Sequence, residues 1–175
     1  MVYENIGIVG FAFGLRDETQ EPNPSNSALA HVVTQAGEYV ECHKDWPIVV
    51  TQWEITKGLN KFFRMSPDHS VELRSDGTYL DSRAVWEEAK FEFALNGVKA
   101  VIIIAQPFLH LPSLKRMVKA DGYSVHEFKI PAIPFDDSIE NTQPWTRSKL
   151  ALVIYAIKSL IPGMKHGHNG MQNVS

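Results

Sequence analysis

Residues 5–10 (NIGIVG), 47–51 (PIVVT) and 99–105 (KAVIIIA) are short apolar runs, and the last is apolar on both faces of the strand it would form. Such a strand must be covered on both faces, which is the arrangement of a parallel sheet between helices. Residues 123–128 (YSVHEF) alternate less cleanly and fit an edge strand, and 71–73 suggests a small extra one. Between the runs lie stripes at helical spacing. Leu29, Val32, Val33, Ala36 and Val40 follow the caplike Ser25-Asn26-Ser27. Val85, Trp86, Ala89 and Phe93 are stopped by Asn96-Gly97, and Leu111, Leu114 and Val118 by Asp121-Gly122. Leu150, Val153, Ile154, Ile157 and Ile161 end at Pro162-Gly163, while Leu59, Phe62 and Phe63 suggest a shorter helix after the second strand. The alternation predicts right-handed crossovers and an α/β fold: three layers, an open, mostly parallel sheet with helices on both faces. Residues 1–163 form one domain in this reading, and 164–175, without periodicity, a flexible tail. The polar, proline-bearing segments 14–24 and 129–144 are long loops on the side where strands end, a common place for function.

Composition narrows the class without naming a chemistry. The chain has 175 residues, 44% hydrophobic and 21% charged, the balance of a globular protein. Seventeen basic against twenty acidic residues leave a net charge of −3, which disfavours non-specific nucleic-acid binding. The longest apolar run is far short of the roughly 20 residues that cross a bilayer, and no signal-like start is present. A lone cysteine, Cys42, fits a reducing compartment, so the expected location is the cytoplasm, with no membrane partner and the oligomeric state left open.

In an open parallel sheet, ligands lie beyond the carboxyl ends of the strands. That rule selects Gly10, Phe11 and Gly14 after the first run, Gln52 and Glu54 after the second, and Gln106 and His110 after the third. Ser82 and Arg83 join the same rim if the 71–73 strand exists. Backbone amides after Gly10 and near His110 would hold the polar part of a small ligand. Gln52, Glu54 and Gln106 would orient it, and Arg83 or Arg116 would offset negative charge. His110 is also a candidate general acid or base, with Glu54 as its partner. Simpler readings stand beside these: glycines for a tight exit from the strand, a packing histidine, and Phe11 and Trp53 as core aromatics. Asp136, Asp137 and Glu140 read as a solvated acidic loop rather than a cation site, and His166 and His168 as tail residues, so no metal is expected. No nucleophile-elbow, phosphate-loop or zinc-protease motif occurs.

The order of these segments resembles the YdcF/SanA-like domain family over roughly residues 5–160. IGIVGFAFG is similar to the family's opening strand and Gly-rich turn, NPSNSALA to the loop entering its first helix, and IVVTQWE to its second strand. SRAVWEEA resembles a helix start bearing a hydroxyl residue. IIIAQPFLHLPSLKR resembles the strand and His-bearing helix start, with Ser113 where the family has arginine and Lys115 and Arg116 following. The resemblance implies a Rossmann-like sheet and a site for a nucleotide-like or anionic small ligand, with S-adenosylmethionine as a candidate. It assigns no reaction. A small-molecule hydrolase or transferase using His110, and a non-catalytic scaffold with a decayed pocket, stay open as alternatives. Exposed apolar surface around Phe135 or Trp145 would favour the scaffold.

Overall fold

The structure, a computed structural model, describes residues 5–16, 21–42, 46–72 and 80–159. Five strands form one parallel sheet in the order β3-β2-β1-β4-β5. They are β1 (Ile6–Gly10), β2 (Ile48–Gln52), β3 (His69–Val71), β4 (Ala100–Ile104) and β5 (Ser124–Val125). The helices are α1 (Pro24–Cys42), α2 (Trp53–Gly58), α3 (Ser82–Leu95), α4 (His110–Ala120) and α5 (Lys149–Ser159). Central β1 pairs with β2 on one side and β4 on the other, with Gly10 opposite both Thr51 and Ile104. This is the open, three-layer α/β architecture that the apolar runs predict.

Strand alternation assigns the layers. Ile8, Ile102 and Ile104 point to the face covered by α1 and α2, with Leu29, Val33, Ile55 and Leu59. Val9, Val101 and Ile103 point to the other face, under Val85, Trp86, Phe93, Leu114 and Val118 of α3 and α4. All five residues of β4 are buried. Trp86 is fully buried, and its indole nitrogen donates to Asp121 at 2.7 Å, so a large apolar side chain enters the core without an orphaned donor. Gly7 sits under Phe93: a Cβ there would lie 2.6 Å from the ring, so the helix packs this close only on glycine.

Several boundaries differ from the sequence reading for local reasons. Helix α1 begins at Pro24, capped by Asn23 rather than by the Ser25–Ser27 trio. The Asn23 side chain accepts from the Asn26 amide at 2.7 Å, and proline at the first helical position gives up a donor that would be unpaired anyway. The short helix after β2 starts directly at Trp53 and passes into a π-helical turn, Leu59–Phe63, ended by Arg64 at φ 50°. The expected edge strand 123–128 pairs only at Ser124 and Val125. Phe128, Ile130, Ile133 and Phe135 instead fold back onto the α1 face, so the long loop serves as part of that layer. The strand expected at 71–73 is β3, with Leu73 outside the described residues. The tail 164–175 and Ile161 also lie outside them. Among the described residues no helix is long and apolar enough to cross a membrane.

Candidate functional site

All strands run the same way, but strand order moves to one side of β1 and then returns to β4 on the other. The crossovers after β1 and β4 therefore leave to opposite faces, and the carboxyl edge between them is where a ligand would sit. Phe11 and Phe13 follow β1, Glu54 lies in the first turn of α2, Ser82 opens α3 and His110 opens α4. The rings of Phe11 and Phe13 each lie 6.1 Å from the His110 ring. The segments selected at the strand ends therefore meet at one edge.

The turn after β1 is held by protein, not left open for an anion. The Ala12 amide donates to Gln52 Oε1 at 3.1 Å, the Phe13 amide to Asn26 Oδ1 at 2.8 Å, and the Leu15 amide to Asn141 Oδ1 at 3.3 Å. Asn23 and Asn26 donate in return to the carbonyls of Phe13 and Gly14. Of the amides expected to cradle a ligand, those of Phe11, Ala12, Phe13 and Leu15 are thus already satisfied. The two glycines tell the same story. A Cβ at Gly10 would meet Thr51 at 3.0 Å and Ile55 at 3.2 Å, so close packing demands glycine there. Gly14 has φ +81°, and its open side is filled by Asn23, Thr146 and Asn141.

Gln106 is likewise structural: buried, it accepts from the Phe108 amide at 2.5 Å and donates to the Ile133 carbonyl at 3.3 Å, tying the long loop to β4. Arg83 reaches away from the edge to Glu87 at 2.5 Å and Asp121 at 3.2 Å. Arg116 is exposed on α4. The acidic loop holds an arginine instead of a cation: Arg16 makes a two-pronged pair with buried Asp136, at 2.9 and 2.8 Å, and a 3.3 Å pair with Glu140. Among the described residues no cluster of His, Cys, Asp and Glu could hold a metal. Phe11 and Trp53 are core aromatics, and the Lys57 ammonium sits 4.2 Å from the Trp53 ring centre. Phe135 packs edge-on against Phe13 and Trp145 stacks on Tyr155, both partly buried, while Ile139, Leu150, Ile154 and Ile157 close to them in the chain are exposed.

His110 and Ser82 are different. Ser82 Oγ lies 3.0 Å from His110 Nε2, joining the first residues of α3 and α4. The residue keeps some exposure, yet Nδ1 is sealed from solvent and has no hydrogen-bond partner. A neutral imidazole carries one donor and one acceptor nitrogen, so either tautomer leaves a buried polar atom unpaired, at a cost of roughly 1–3 kcal/mol. Burial alone lowers the pKa of His110 from 6.5 to about 4, keeping the ring neutral at pH 7. Immediately before it, Leu109 adopts φ 63°, ψ −35°, and the His110 amide donates to the Phe108 carbonyl at 2.8 Å. That is a γ-turn of the rare, strained form, and it costs about 1–3 kcal/mol at a residue with a Cβ.

Glu54 is not the partner of this histidine. Its carboxyl is buried, accepts from the Asn26 side chain and from the Arg16 amide, and is raised from 4.5 to about 7. Loss of water dominates over the Arg16 amide, the Lys57 charge and Asn26, all of which act the other way. Residue spacing gives no sign that Ser82 would pair with His110. The asparagine lattice left only a faint trace, the Asn-Pro pair at 23–24. None of the family models, curated proteins or solved structures compared with the chain matches it.

Proposed function

We propose that the carboxyl edge of the sheet, centred on His110 and Ser82, binds a small nucleotide-like molecule, with S-adenosylmethionine among the candidates. The observation that carries this reading is the buried His110 Nδ1 with no protein partner. The amides of Phe11, Ala12, Phe13 and Leu15 in the turn after β1 each have one, so the orphan at this edge supports a place where an outside group completes the hydrogen bonding. The resemblance to the YdcF/SanA-like family and the position at the crossover point support the same edge. Because the turn amides are occupied and Arg16 and Arg83 are paired, a nucleoside-like ligand with little negative charge fits better than a polyphosphate. The lone exposed Cys42 accords with a cytoplasmic setting.

Thermal melting with a panel of nucleosides, nucleotides and S-adenosylmethionine tests this. A ligand at a hundred times its Kd should stabilise the native state by about 2.7 kcal/mol. The effect should vanish in His110→Phe. A flat response across the panel would reject the binding reading. A second reading, a hydrolase or transferase, is favoured by one contact, the 3.0 Å approach of Ser82 Oγ to His110 Nε2.

A further inference from the structure

Helix geometry gives the amides of Ser82 and Arg83, at the start of α3, no intrahelical acceptor, while Asp81 takes the Ala84 amide at 2.8 Å. The hydroxyl of Ser82 is thus placed at a helix start and within hydrogen-bond reach of an imidazole. A strained turn at Leu109 presents that imidazole, and a helix-to-helix tie would not require the strain. We propose that Ser82 is a nucleophile, activated by His110, that accepts acyl groups from carboxylic esters or thioesters bound at this edge. The proposal rests on the small-molecule reading of the same site and names its substrate class.

The choice of acyl over phosphoryl groups follows from charge. Arg83, next to Ser82, is held by Glu87 and Asp121, and Arg16 by Asp136 and Glu140. Arg116 lies nearly two turns along α4, and the described residues contain no metal cluster. A phosphoryl group, with charge on three oxygens, would lack the clamp that its transfer needs. A carbonyl carbon needs only one or two N–H donors for its oxygen.

The step balances without any group beyond substrate and water. As Ser82 Oγ forms its bond to the carbonyl carbon, its proton passes to His110 Nε2. The bond from carbon to the leaving alkoxide or thiolate breaks, and that group departs with the proton. Water then donates a proton to Nε2 as its oxygen bonds the acyl carbon, and Oγ leaves and recovers the proton. The carboxylic acid is released. In this cycle Nε2 is the acceptor in the resting state and Nδ1 carries the hydrogen.

A fluorophosphonate probe on the full chain, followed by intact-mass and peptide mass spectrometry, decides the matter. The expected result is one adduct on Ser82, absent in Ser82→Ala and formed at least ~100-fold more slowly in His110→Gln, with melting temperatures near that of the parent. No adduct on the folded parent chain, an adduct on another serine, or labelling that ignores His110→Gln would each overturn the proposal. A ligand-induced melting shift without labelling would remove the nucleophile and keep the binding site. Labelling without any shift across the ligand panel would keep the nucleophile and remove the nucleotide-like reading.

Discussion

Two buried titratable groups at the carboxyl edge pull the pH dependence of stability in opposite directions. Glu54 is raised from 4.5 to about 7, so the folded chain holds its proton where the unfolded chain has lost it. The stability this confers is complete below pH 4.5 and is lost as the pH rises to about 7. His110 is lowered from 6.5 to about 4, so the unfolded chain binds the proton first. Its contribution is complete above pH 6.5 and is lost as the pH falls to about 4.

Each tenfold change in proton affinity is worth about 1.4 kcal/mol, so between pH 4.5 and 6.5 each group shifts stability by about 2 kcal/mol, with opposite sign. From these two groups the parent profile should be nearly flat over that window. Urea unfolding followed by tryptophan fluorescence at a series of pH values would expose the cancellation through single variants. Glu54→Gln should become more stable towards pH 6.5, by about 2 kcal/mol. His110→Gln should become less stable over the same range by a similar amount. Variants whose profiles stay parallel to the parent would refute the burial argument for both side chains.

Gly7→Ala would drive a methyl group into the buried Phe93 ring, 2.6 Å from its nearest carbon, and should cost about 1–3 kcal/mol in urea unfolding. A neutral result would show that α3 can move off the sheet. Leu109→Gly should stabilise by about 1 kcal/mol, because the residue is 42% exposed and its φ of 63° penalises any Cβ. A melting temperature below the parent's would mean the turn is unstrained.

The buried patterns of β1, β2 and β4, the helical stripes of α1, α3 and α4, and the layered parallel sheet were all readable from the chain. The reason is that spacing along a strand or helix is set locally, by which positions must avoid water. The same rule overran at residues 126–128, where the expected strand has already ended, and the apolar side chains of the loop that follows pack onto a layer with no fixed period. The edge residues were nameable for a similar reason: a parallel sheet places strand ends on one side whatever its side chains.

What those residues do there depended on contacts between distant segments. Leu15 and Asn141 are 126 positions apart, yet together with Gln52 and Asn26 the asparagine closes the turn that was expected to receive a ligand. Ser82 and His110 are 28 apart and meet because β3 and β4 deliver two helix starts to the same rim. Local periodicity determines which face of an element is buried. Strand order and the seating of the helices decide which side chains come within 3 Å of each other, because hydrogen bonds, unlike apolar burial, act only at short range and in set directions.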